Sequence, residues 1–227
     1  MRALLVHGLS SSRESWWRVA PALDELGYDV TAIDLRGHGT AARAESYELA
    51  GYASDLPAGW DLVVGHSLGG ATAVLAAQQP GFTRALVLLD PVLEVVPAEF
   101  DAILADQLSE LSFDEETIAA LKPHWHERDR ETKLSGIRST DETVVRRSFT
   151  DNPHWNVVPE ARALTVPTLI LGGDHAVYSM LATQTADALA EANPLIEYTV
   201  VAGAGHSPHR DKPDETLAAL RGWLLAR

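Results

Sequence analysis

The sequence predicts an α/β domain, a mostly parallel sheet of about six strands flanked by helices. Three observations carry this expectation. Short β-rich apolar runs recur along the 227 residues. Most of them run into a glycine or aspartate and then a helical pattern. The runs are also apolar nearly throughout rather than alternating, which suits strands covered on both faces, as in a parallel sheet.

The expected strands are RALLVH (2–7), YDVTAID (28–34), DLVVGH (61–66), RALVLLD (84–90), VPTLILG (166–172) and IEYTVVA (196–202). Segments 14–26, 68–79, 177–192 and 213–225 are long enough for the crossover helices between them. One interval breaks the rhythm. Between Asp90 and Val166 lie about 75 residues with no good strand candidate, too many for a structureless loop. It holds PAEFDAILADQLSEL, the charged helical pattern DEETIAALKPHWHERDRETKL and DETVVRRSFTDNPHW. We therefore expect a core formed by 1–92 and 163–227, with a small helical cap inserted at 93–162.

Composition narrows the function. Lys plus Arg number 18 against 32 Asp plus Glu, a formal charge of −14, which disfavours nucleic acid and anionic membrane as partners. A hydrophobic content of 46% is enough for a sizeable core. With no cysteine, there is no disulfide, thiolate metal site or cysteine nucleophile. No apolar run approaches the ~20 residues of a bilayer span. The apolar run of MRALLVHG is too short for a signal peptide and is interrupted at His7-Gly8, so a cytoplasmic location is expected.

The chemistry gathers at VVGHSLGGATA, 63–73. Gly65-His66-Ser67-Leu68-Gly69 is G-x-S-x-G between an expected strand and an expected helix, the context of a nucleophile elbow. A serine on so sharp a turn sits in strained backbone, and glycines at 65, 69 and 70 leave room for the turn to close. Ser67 is then presented at the carboxyl end of the sheet, where open α/β folds bind ligands.

A serine hydroxyl needs a base. His206 follows the last expected strand on a glycine-flanked loop, at the same end as Ser67, with His209 as the nearest rival. The base needs a carboxylate. Asp174 follows TLILGG on a glycine turn and is preferred, whereas Asp90-Pro91 reads as a turn or cap, although chain order fits either. The backbone N–H groups of Leu9 and Leu68 are the candidate oxyanion donors. His66 is expected to be structural. His124 and His126 are two apart on a helix and do not share a face, so they are a weak metal pair.

Taken together, VHGLSSS, DLRGHGTA (34–41), GHSLGG, LILGGDHAV and GAGHSPHRDKPDE resemble, in order and over nearly the whole chain, the α/β-hydrolase superfamily. The resemblance implies Ser67, Asp174 and His206 as triad, Leu9 and Leu68 as oxyanion hole, a structural His38, and no cofactor or metal. It also shows a departure. Members generally begin with an antiparallel hairpin, whereas this chain starts at the VHG strand. The sheet should therefore be six-stranded and all parallel, with 28–34 an exposed edge, which makes a homodimer worth checking. In the cap, Trp125, Phe149 and Trp155 are candidate pocket residues, or simply the cap's own core. One of Trp16 and Trp17 should pack a helix on the sheet.

The expected activity is serine hydrolysis of a small, mostly apolar ester, lactone or thioester. A lyase-like or carbon–carbon-cleaving enzyme on the same triad, and a hormone-receptor-like binding protein, are the rival readings.

Overall fold

The computed structural model describes residues 1–227. Six strands form one sheet: β1 (Arg2–Val6), β2 (Asp29–Ile33), β3 (Leu62–His66), β4 (Leu86–Leu89), β5 (Thr168–Gly172) and β6 (Ile196–Val200), in the order β2-β1-β3-β4-β5-β6. Every pairing is parallel, as expected of a sheet without a leading hairpin. The central strands are buried along their length because both faces are covered. Leu4 and Val6 of β1, with Leu86 and Leu88 of β4, face one apolar core. Ala3 and Leu5, with Val87 and Leu89, face a second on the other side. The edge strand β2 is only half-buried.

The helices are α1 (Val19–Asp24), α2 (Leu49–Ser54), α3 (Leu68–Ala76), α4 (Phe100–Glu110), α5 (Glu115–Leu121), α6 (Glu127–Ser139), α7 (Glu142–Thr150), α8 (Val158–Arg162), α9 (Thr183–Ala192), α10 (Pro208–Asp211) and α11 (Pro213–Leu225). No helix is long and apolar enough to cross a membrane. Trp16 is buried in the second core, while Trp17 turns outward to donate from Nε1 to Asp129 Oδ1 at 2.8 Å.

Helices α4 to α8 all lie between β4 and β5. The charged stretch 114–134 reads as one helical pattern but is two helices. Pro123 lacks an N–H and disfavours helical backbone at Lys122, which leaves the helix at φ −130°, ψ 58°. Asp114 and Asp141 accept from the Thr117 and Val144 N–H groups at 2.8 and 3.0 Å, capping α5 and α7. The insertion is tied to the sheet domain at several points. Tyr47 and Leu49 donate backbone N–H bonds to Asp151 and Asn152, both at 2.8 Å. At Gly136 of α6 a Cβ would stand 2.6 Å from the Ser11 Cα, so the helix lies directly on the loop after β1.

Between β3 and α3 the backbone turns tightly, with Ser67 at positive φ. A Cβ on Gly65 would lie 2.6 Å from the Gly69 carbonyl oxygen, and one on Gly69 would overlap the carbonyl oxygens of Val6 and His7. Gly69→Ala is therefore expected to cost at least ~3 kcal/mol or to prevent folding, because rigid backbone bars its methyl group. Gly222→Ala, on an exposed face of α11 with open space around it, should instead stabilise by about 0.5–1 kcal/mol. Urea unfolding of both variants checks the contrast.

Candidate active site

Ser67 sits at this turn with φ 54° and ψ −120°, a strained conformation for a residue with a side chain. The strain is held from both sides: Ser67 N–H donates to Leu89 O of β4, and the Ser67 carbonyl accepts from Gly70, Ala71 and Val92 N–H groups. The hydroxyl is thereby fixed beyond the carboxyl ends of the strands, where the loops after β1, β4, β5 and β6 converge.

His206, on the loop after β6, places Nε2 2.9 Å from Ser67 Oγ. Its Nδ1 lies 2.6 Å from Asp90 Oδ2. The carboxylate on His206 is therefore Asp90, at the end of β4, and this corrects the preference for Asp174. The reason is backbone geometry. Asp90 adopts φ 37°, which turns its side chain across the end of β5 toward the histidine loop. There it is fully buried and accepts from Gly173 N–H and Ser179 Oγ on Oδ1, and from Met180 N–H on Oδ2. Burial pushes the Asp90 carboxyl up. His206, Ser179 and the backbone donor of Gly173 more than offset it, holding the group below its usual range as a carboxylate.

Asp174 is on the right loop with a different task. It accepts from Gly203 and Ala176 N–H groups, both at 2.9 Å, and its own N–H donates to Ala204 O at 2.7 Å. It pins the loop after β5 to the loop that carries His206, without touching the imidazole.

The remaining histidines divide cleanly. His66 Nε2–H donates to the His206 carbonyl at 2.7 Å, so it shapes the loop that carries His206. Burial, then the neighbouring His206, holds its pKa well below the ordinary value and keeps the ring neutral. His209 is buried, stacked on Trp16 with centroids 5.1 Å apart, and is not on Ser67. His38 is buried, with Nδ1 on the Arg36 carbonyl at 3.0 Å. His124 Nε2 meets Asp211 Oδ1 at 2.9 Å, while His126 Nδ1 accepts from Arg128 N–H, so the two serve separate partners.

Sequence reasoning passed over His7. Its Nδ1–H donates to Gly8 O at 2.7 Å and its Nε2 accepts from Leu35 N–H at 3.0 Å. Burial lowers its pKa to about 4, which keeps the neutral tautomer that both bonds require. With the Gly8 carbonyl held this way, the loop passes Ser67 so closely that a Cβ on Gly8 would lie 3.0 Å from the Ser67 Cβ. The HG pair after the first strand was the available signal. The N–H groups of Leu9 and Leu68 donate to no other group of the chain.

Ser67 and His206 open onto a cavity of about 170 Å³. Trp125, Phe149 and Trp155 all line it and are all buried. Phe149 and Trp155 belong to the apolar core on one face of the sheet, whereas the insertion's own small core is Ile118, Leu134 and Ile137. Trp155 Nε1–H donates to Val92 O at 2.8 Å, and Phe149 packs on Trp155 with centroids 5.7 Å apart. Leu9 and Leu68 add apolar surface beside Ser67.

Residues 3–220 match the model of the alpha/beta hydrolase family. The chain belongs to that family. Lipase LipV of Mycobacterium tuberculosis is 39% identical over 116 residues, which are 46% of this chain and 44% of that lipase. Esterase YbfF of Escherichia coli is 26% identical over 97% of this chain and 92% of its own. A solved carboxylesterase structure from Nitrososphaera gargenis superposes with a TM-score of 0.80 at 20% identity, covering 99% of this chain and 90% of the other, and speaks to the fold. Within the family, relatives named esterase and lipase support hydrolysis as the general reaction of this enzyme.

Proposed function

We propose that the protein is a serine hydrolase that cleaves a small, mostly apolar ester, lactone or thioester through an acyl-enzyme on Ser67. The observation that carries this reading is the continuous chain of hydrogen bonds Asp90–His206–Ser67, 2.6 and 2.9 Å long, ending in a largely apolar cavity. In the first half-reaction His206 Nε2 takes the Ser67 proton as Oγ attacks the carbonyl carbon. The N–H groups of Leu9 and Leu68 hold the oxyanion. The imidazolium, stabilised by Asp90 on Nδ1, then gives its proton to the leaving oxygen or sulfur. In the second half-reaction His206 deprotonates a water that releases the acid. The helices at 93–162 act as a cap that limits the length of the acyl chain through Trp125, Phe149 and Trp155.

A graded series of p-nitrophenyl esters tests the reading. Turnover should be highest for short acyl chains and fall once the chain exceeds the cavity, and Ser67→Ala should lose at least ~10³-fold in kcat. Equal turnover by a folded Ser67→Ala variant, or none by the folded wild type on any ester, thioester or lactone, contradicts it.

A further inference from the structure

The cavity has one charged anchor that hydrolysis of a neutral ester leaves without a task. Arg210, on α10 four residues beyond His206, lines the cavity and is the only arginine among the buried residues, at 5% exposure. Its Nη2 makes one long hydrogen bond, 3.4 Å to Ser11 Oγ, and its Nε has no partner. The guanidinium lies over the Trp125 ring at 5.1 Å. No carboxylate forms an ion pair with it.

The surrounding acids are engaged elsewhere. Asp211 accepts from His124 and Trp125 on Oδ1 and from Gly205 and Ser207 N–H groups on Oδ2. Asp129 accepts from Trp17 and Arg18. Glu110, the one carboxylate on the cavity wall, is bonded to Lys133 Nζ at 2.5 Å. Lys122 also lines the wall, so the cavity of a protein with a formal charge of −14 carries three cations to one anion. A buried guanidinium without a counter-ion is costly, and a planar carboxylate is its best-matched partner.

We propose that Arg210, with Ser11, binds a carboxylate of the substrate, so that the preferred ester carries a second, ionised carboxyl group, as in the half-ester of a short dicarboxylic acid. The proposal rests on the serine-hydrolase reading and names its substrate class. Ser11 is two residues beyond Leu9 on the loop beside Ser67, so the anchor belongs to the reacting end of the cavity. That placement calls for a short spacer between carboxylate and scissile carbonyl, and the apolar walls accommodate the spacer. The chemistry balances as ordinary hydrolysis. The Ser67 Oγ–acyl bond forms as the carbon–alkoxy bond breaks, the Ser67 proton leaves with the alcohol through His206, and water releases the dicarboxylate.

The test compares monomethyl glutarate with dimethyl glutarate by kcat/KM. The wild type should prefer the half-ester roughly 10- to 100-fold, the range of one charge-assisted contact. Arg210→Gln should lose that preference and Arg210→Lys should keep part of it. The readout is a ratio of two substrates on one enzyme, so a general loss of activity cancels. Stacking on Trp125 alone would not move it.

Calorimetry on the wild type needs no variant that folds. Glutarate should bind at least ~10-fold tighter than neutral glutaramide. A wild type that favours the diester, a ratio unchanged in Arg210→Gln, or equal binding of glutarate and glutaramide overturns the proposal. Failure of the hydrolase reading is distinct: neither ester is turned over, while the glutarate comparison still reports on the cavity.

Discussion

Asp90→Asn is expected to lower kcat by about 10³–10⁴-fold, whereas Asp174→Asn should change it only a few-fold. The asymmetry follows from where each carboxylate points. Asp90 Oδ2 is the group on His206 Nδ1, and it is ionised and fully buried. An asparagine there cannot hold the imidazole in the tautomer that leaves Nε2 free to take the serine proton, nor balance the imidazolium that forms. It also sets an amide against the Gly173 and Met180 N–H groups, so some stability is lost as well. Circular dichroism and a urea titration, run beside the kinetics, separate the two effects. Asp174 instead joins two loops through Gly203 and Ala176, and an asparagine oxygen can keep one of those bonds. If Asp174→Asn were the inactive variant and Asp90→Asn the active one, the assignment of the acid would be wrong.

Acidification should unfold the protein over the range from about pH 6.5 to 4. Four histidines are buried and held neutral: His7, with its pKa lowered to about 4, His38, lowered to about 3, and His66 and His209, both well below the ordinary value. Burial is the leading cause in each. The sign is plain. The unfolded chain binds a proton at each of these sites near pH 6.5, and the native state does so only at much lower pH. Below about pH 6.5 the unfolded state therefore holds more protons, and native stability falls as pH falls, by about 1.4 kcal/mol per pH unit for each histidine. By pH 5 His7 and His38 alone remove roughly 4 kcal/mol, a large share of the stability of an ordinary domain, and His66 and His209 act in the same direction. Asp90, with its pKa lowered in the native state, acts in the same direction at lower pH. Urea midpoints at pH 7.5, 6 and 5 measure the slope. His209→Phe, which keeps a ring on Trp16, should flatten it by about one proton. Unfolding free energies that stay level from pH 7.5 to 5 would contradict the assignment of these rings as buried and neutral.

Much of the architecture is legible from residue patterns because parallel strands covered on both faces leave a plain signature. All six strands lie within the apolar runs, and the glycines of VVGHSLGG announce the turn at Ser67 through the space they must vacate. His206 is legible for the same topological reason, since a loop after the last strand must arrive at the carboxyl end of the sheet. The acid is not. Asp90 and Asp174 both end strands at that same edge and both precede the histidine in the chain. What separates them is the left-handed backbone at Asp90 and its encirclement by Gly173, Ser179 and Met180, all supplied by a different strand-loop unit. The work of His7 and His66 on the loops beside Ser67 is invisible for a related reason. Each bonds a carbonyl whose direction depends on the finished turn. The Lys122-Pro123 break in the charged segment was readable from proline alone. The burial of Arg210 within GAGHSPHRDK was not, because it depends on Trp125 arriving from the insertion.

The central claim is that Asp90 and His206 activate Ser67 as a nucleophile. Peptide mapping after reaction with a fluorophosphonate tests it most directly. The expected result is a single adduct on the peptide containing Ser67, slowed strongly in Asp90→Asn and absent in Ser67→Ala. A folded wild type that stays unmodified, or an adduct on any other residue, would contradict it.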